Sequence, residues 1–175
     1  VAPHNVLVKA PELINEHLNL PAPQAQFEYA DSVETSTAVA TGEAMTSVNA
    51  RFSGFSSPTW EWDSTQGAFL RFQTNGAADS AASGNQLSAT NVVILNVGID
   101  VIEDIPTTRL VSQGTGWVFT GGSYVEINWI KGTPESPVSL STTTGDPVLL
   151  GQGNTWVELV PNDSSDVDAA VVTVQ

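Results

Sequence analysis

The sequence predicts an α+β fold: a predominantly antiparallel β-sheet with a short N-terminal helix. Three observations predict it. From residue 47 onward, apolar residues either alternate with polar ones or gather in β-branched runs. Turn pairs such as Gly121-Gly122 and Thr144-Gly145 punctuate those runs. Helical spacing of apolar residues is clear only between residues 11 and 20.

In chain order, Pro11 suits a first helical turn and Glu12 complements the positive helix end. Leu13, Ile14, His17 and Leu18 share one face before Pro21 and Pro23 stop the helix, and His17 is expected to pack there. Residues 24–42 alternate too weakly to assign. Residues 47–52 read as extended, and 59–63 with 68–73 read as a hairpin across Ser64-Thr65-Gln66-Gly67. Residues 74–85 are small and polar, hence a loop. The run 91–102 is the candidate for a fully buried central strand, because its β-branched residues do not alternate with polar ones. Strands at 110–112, 116–120, 123–131, 138–142, 147–150 and 155–160 complete the sheet. The expected organisation is therefore 1–30 as the end of a preceding domain, 31–46 as a linker or variable segment, 47–161 as the mainly β domain, and 162–175 as an acidic tail or edge strand.

Composition narrows the function. The 175 residues carry 5 Lys+Arg against 19 Asp+Glu, a formal charge of −14. That balance leaves no basic stripe for nucleic-acid phosphates and disfavours an anionic lipid surface. Charged residues make up 14% of the chain against 41% hydrophobic, unlike a coiled coil. With no Cys, disulfides, thiolate metal sites and a Cys nucleophile are all excluded. Two His argue against a His-rich metal centre, so no metal and no cofactor is expected. Residue 1 is Val with no apolar leader segment behind it, and the apolar runs fall far short of the ~18 residues of a spanning helix. The expectation is a soluble piece of a longer, exported chain.

Several segments in order carry a resemblance: Leu70-Arg71-Phe72-Gln73; the stretch from Gly84-Asn85-Gln86-Leu87 through Ser88-Ala89-Thr90-Asn91-Val92-Val93; Gly116-Trp117-Val118-Phe119 with Trp129; and Thr155-Trp156-Val157-Glu158-Leu159-Val160-Pro161. Together they resemble the C-terminal domain of YerB-like bacterial lipoproteins, and Ala2-Pro3-His4-Asn5 resembles the end of that family's N-terminal domain. Residues 32–45 and the tail after Pro161 follow no pattern of the family. The resemblance implies an exported protein, lipid-anchored to the outer face of the cytoplasmic membrane through a Cys outside this chain. It also implies an N-terminal half as a partner. The family's actinobacterial LmcA-like members imply a part in making cell-envelope lipoglycans such as lipomannan and lipoarabinomannan.

Candidate ligand-binding residues follow. Trp60 and Trp62, at i and i+2 on a strand, share a face and could stack on sugars; packing on the core is the commoner fate of such a face. Glu61 and Asp63 alternate onto the opposite face, but spacing alone does not make them a glycosidase pair. His4 and Asn5 could line a pocket at the junction with the preceding half, or fix that junction by backbone hydrogen bonds. Arg71 could bind an anionic ligand or pair internally. Gln86, Ser88 and Asn91 precede the central strand, where they could bind ligand or satisfy loop backbone. Asp163, Asp166 and Asp168 lack the Gly and Glu of a calcium loop. No catalytic set emerges.

The expected function is a non-catalytic accessory factor in envelope-glycan assembly, whose partner is a glycan, a glycolipid or a membrane biosynthetic enzyme. Two alternatives stand beside it. One is a glycan-processing enzyme whose catalytic residues lie mostly in the N-terminal half; the other is a structural protein-docking module.

Overall fold

A computed structural model of the chain describes residues 9–21, 24–163 and 171–175. His4, Asn5, Asp166 and Asp168 lie outside the described residues.

Helix α1 is Ala10–Glu16, with Pro11 in its first turn and Lys9 paired to Glu12 at 3.0 Å. It ends short of the expected residue 20: the His17 N–H turns back to the Ile14 carbonyl, and the Leu20 N–H to that of His17. No α1 residue is buried, and Leu13 and Ile14 stay 49% and 62% exposed. His17 is exposed too, so it is not the packing residue that its spacing suggested.

The remaining elements are helix α2 (Thr37–Thr41) and strands β1 (Glu43–Ala44), β2 (Ser47–Arg51), β3 (Thr59–Asp63), β4 (Ala68–Phe72), β5 (Ser88–Ala89), β6 (Asn91–Ile102), β7 (Ile105–Arg109), β8 (Gln113–Thr120), β9 (Ser123–Ile130), β10 (Ser139–Thr142), β11 (Thr155–Asp163) and β12 (Val171–Val174). The fold is α+β and mainly antiparallel. A seven-stranded sheet runs β1-β9-β8-β6-β11, with β10 also on β9 and β7 also on β6. A five-stranded sheet runs β12-β2-β3-β4-β5. One pair, β6 with β11, is parallel.

Strand β6 explains the layering. Val93, Leu95 and Val97 join one core, which also takes Ala38 of α2, Ile127, Trp129 and Leu150. Val92 and Ile94 join the other, with Val48, Trp60, Phe69 and Phe119. Because successive side chains point to opposite faces, a strand covered on both faces needs an unbroken apolar run. The seven-stranded sheet is thus the middle layer, with the five-stranded sheet on one face and α2 with neighbouring loops on the other.

Several sequence expectations need correction. Residues 31–46, read as a linker or variable segment, hold α2 and β1 and supply Ala38 and Met45 to the cores. Residues 110–112 are a link between β7 and β8. Residues 147–150 make only single bridges, Pro147 to Ser141 and Leu150 to Tyr29, rather than a strand. The Gly121-Gly122 turn does join β8 to β9, with φ of 60° and 75° that suit glycine. Of the two expectations for the tail, its end forms edge strand β12 on β2.

Candidate functional site

Most of the sequence-predicted site residues are bound into the fold. Trp60 is fully buried; its indole N–H donates to Glu158 at 3.1 Å, and its ring lies 5.3 Å from that of Trp156. It therefore offers no face to a sugar: of the two readings of this strand, packing on the core is the one found, and the aromatic platform is not. Trp62 packs its ring 5.0 Å from Phe69 on the same inward face. Arg71 is held between the indoles of Trp60 and Trp156, 5.8 and 5.3 Å from their centroids. Its guanidinium pairs with Asp79 and lies 3.5 Å from Glu158, so the internal ion pair takes the place of an anionic ligand.

Gln86 donates to the Arg71 carbonyl at 2.9 Å. Asn91 is buried; it donates to the Gly151 carbonyl at 2.8 Å and accepts from the Gly151 N–H at 2.9 Å and the Thr120 hydroxyl at 2.7 Å. Ser88 is exposed, and its carbonyl accepts from Asn154 at 2.9 Å. On the outward face of β3, Asp63 accepts from the Thr65 and Gln66 N–H groups of the hairpin turn. The Gln66 side chain and those amides hold the Asp63 carboxyl below its ordinary range. Asp63 is a turn acceptor, and Glu61 stands without it as a pair.

The open site lies elsewhere, on the outer edge of β9. There β1 pairs with Ser123 and Tyr124, and β10 pairs with Ile127 through Ile130. Between them the main chain of Val125 bonds Val118 of β8, and that of Glu126, turned to the outer edge, has no strand partner there. Above the gap, α2 ends at Gly42 so closely that a Cβ there would fall 2.2 Å from the Tyr124 carbonyl oxygen. The chain after β10 turns away through Thr143, Thr144 and Asp146. What results is a cleft of about 710 Å³ whose rim includes Thr37, Thr41, Glu43, Tyr124, Glu126 and Thr143.

Some groups of the cleft are committed and some are free. Thr144 donates to Asp146 at 2.7 Å, and Thr142 accepts from the Asp146 N–H at 3.1 Å, which fixes the turn. The Tyr124 hydroxyl donates to Glu43 Oε2 at 3.0 Å. That bond, then burial and the charges of Glu43 and Glu126, raise the phenol above its ordinary value. Glu126 and Thr143 are exposed and face the cleft with unused capacity. The lining holds three carboxylates, on Glu43, Glu126 and Asp146, and no Lys or Arg. Among the described residues no group of three or more His, Cys, Asp or Glu is placed to hold a metal.

Sequence inspection missed this site because its residues come from three separate segments, 35–43, 124–126 and 142–147. The signals were the Thr142-Thr143-Thr144 run and the alternation of β9, which sets Glu126 between the buried Val125 and Ile127.

The architecture is that of a two-sheet α+β domain with an interrupted sheet edge. Residues 48–157 match the family described as protein of unknown function (DUF3048), C-terminal domain, and the chain belongs to that family. Its fold is similar to that of the YerB protein from Bacillus subtilis, known from a crystal structure, with a TM-score of 0.59 at 19% identity. The match covers 76% of this chain and 45% of that one, so the chain spans less than half the length of that relative. No curated protein matches the sequence significantly.

Proposed function

We propose that the chain is part of an extracytoplasmic lipoprotein that acts as a non-catalytic accessory factor in cell-envelope glycan or lipoglycan biosynthesis. In this proposal the parent is anchored to the outer face of the cytoplasmic membrane by a lipid outside this chain. Its N-terminal half is a partner, and the cleft on β9 holds a glycan or the glycan part of a glycolipid. The observation that carries the proposal is the interrupted edge of β9, where free carboxylate and hydroxyl groups flank unpaired main chain.

Hydroxyl-rich ligands are recognised by such mixed acceptor and donor surfaces.

The test uses the full-length parent carrying Glu43→Gln and Glu126→Gln, returned to cells that lack it. Lipoglycan content should fall while protein level is kept, and purified lipomannan should leave the wild-type protein with unchanged mass. Normal lipoglycan in the variant strain would refute the role, and a changed ligand mass would make the protein an enzyme.

One observation favours a protein-docking role alongside. The β6–β7 hairpin carries exposed Val101, Ile102 and Ile105, at 46%, 56% and 63%, beyond the end of the β11 pairing.

A further inference from the structure

We infer that the cleft on β9 takes an uncharged, polyhydroxylated glycan segment and rejects anionic ones; this rests on the binding role just proposed. The inference starts from the charge of the lining. Glu43, Glu126 and Asp146 face the cleft with no cationic side chain among its lining residues, in a chain of formal charge −14. A uronate, a phosphate or a sulfate entering it would meet like charge with no Lys or Arg to pair with.

The hydrogen-bonding capacity points the same way. Ionised carboxylates only accept, so the ligand must bring donors. The main chain of Glu126 faces the open edge, that of Val125 being bonded to Val118 of β8, and the Thr143 hydroxyl both donates and accepts. Groups that donate and accept from one atom are hydroxyls. Two neighbouring hydroxyls on a ring can donate to the two oxygens of Glu126. Two strand residues span about 7 Å, comparable with one sugar ring and its substituents.

Tyr124 cannot be the main anchor, because its hydroxyl is already donated to Glu43. Glu126 and Thr143 are the residues left to make first contact. Both are exposed, so neither is needed for the core.

The experiment titrates the full chain with mannotetraose, galacturonic acid tetramer and tetralysine, read by amide chemical shifts and calorimetry. Mannotetraose should shift the amides around Val125, Glu126 and Thr143, and the acidic tetramer should not. Glu126→Gln and Thr143→Val should each weaken mannotetraose by about tenfold, as expected for one lost hydrogen bond to a charged or hydroxyl partner. Preference for the galacturonate or for tetralysine would overturn the inference. So would mannotetraose shifts that lie outside the cleft or survive both variants. If mannotetraose fails to bind yet the cleft variants still lower lipoglycan in cells, the ligand class falls and the accessory role stands. If both fail, both fall.

Discussion

The indole N–H of Trp60, in the five-stranded sheet, donates to the carboxylate of Glu158, in the seven-stranded sheet, over 3.1 Å. The same carboxylate lies 3.5 Å from the Arg71 guanidinium, which pairs with Asp79. One acid thus ties the two sheets together in a nearly closed space, Glu158 being 7% exposed. Removing Glu158 leaves the buried Trp60 N–H without an acceptor and Arg71 with Asp79 as its one remaining acid. Glu158→Ala should therefore cost about 3 kcal/mol in urea unfolding. Glu158→Gln, which keeps an acceptor for Trp60, should cost about half that. Equal losses in the two variants would mean that the charge, not the acceptor, is what matters.

Asn91 holds the start of β6 to the loop before β11 through both ends of its amide. Asn91→Ala would strand the Gly151 N–H and C=O and the Thr120 hydroxyl in a buried place. The expected loss is about 3 kcal/mol, and Thr120→Val, which removes one donor, should lose about 1 kcal/mol. Thermal unfolding followed by near-ultraviolet circular dichroism checks the order. A loss for Asn91→Ala no larger than that for Thr120→Val would show that water replaces the side chain.

These interactions also mark what the sequence discloses and what it hides. The two-faced burial of β6 was legible over Val92–Leu95, because an unbroken Val-Val-Ile-Leu run has no polar face to turn to solvent, but the expectation of burial failed at its end, where Val101 and Ile102 are exposed beyond the β11 pairing. The β8–β9 turn was legible as the pair Gly121-Gly122, whereas the β6–β7 turn at Glu103-Asp104 carries no glycine and was not. The place of Arg71 was legible only as a choice between ligand and ion pair, since its partner Asp79 sits in a polar loop with no pattern of its own. Residues 31–46 were not legible, because two short elements carry too few turns or alternations to show a period. The cleft was hidden for a different reason: a gap in strand pairing belongs to the register between β1, β9 and β10, and no single segment records register.

The β6–β7 hairpin should respond to acid. Glu103 and Asp104 turn it with φ of 51° and 64°, and Arg109 grips Asp100 near its base through more than one guanidinium nitrogen. That hydrogen bonding, with the attraction of the charges, holds the Asp100 carboxyl below its ordinary value. A lowered value means that the folded hairpin prefers the ionised acid. Its stabilisation is present above the ordinary aspartate range and is lost as pH falls through the lowered value. Protection of the Val101 and Ile105 amides, measured against their intrinsic exchange rates, should hold at neutral pH and fall as acid takes Asp100 through its lowered value, and Asp100→Asn should show the lower protection throughout. A hairpin of Asp100→Asn as protected as wild type at neutral pH would remove the ion pair from the account.

Tyr124 reports on the cleft from within. Its phenol is raised first by donating to Glu43, then by burial, then by the charges of Glu43 and Glu126. A raised value means that the folded state prefers the protonated phenol. The stabilisation is present below the ordinary tyrosine value and is lost as pH climbs through the raised one. Tyrosinate absorbance, in a Tyr29→Phe background so that one phenol is read, follows this directly. Glu43→Gln should bring Tyr124 down towards its ordinary value, because the charged acceptor and the near charge both go. Glu126→Gln should lower it by a smaller step, because only a charge without a hydrogen bond is removed. An uncharged glycan seated on Glu126 should move Tyr124 in the same direction as Glu126→Gln, since hydroxyls donated to the carboxylate draw its charge away from the phenol. If Glu126→Gln lowers Tyr124 as far as Glu43→Gln does, the hydrogen bond to Glu43 is not what sets the phenol.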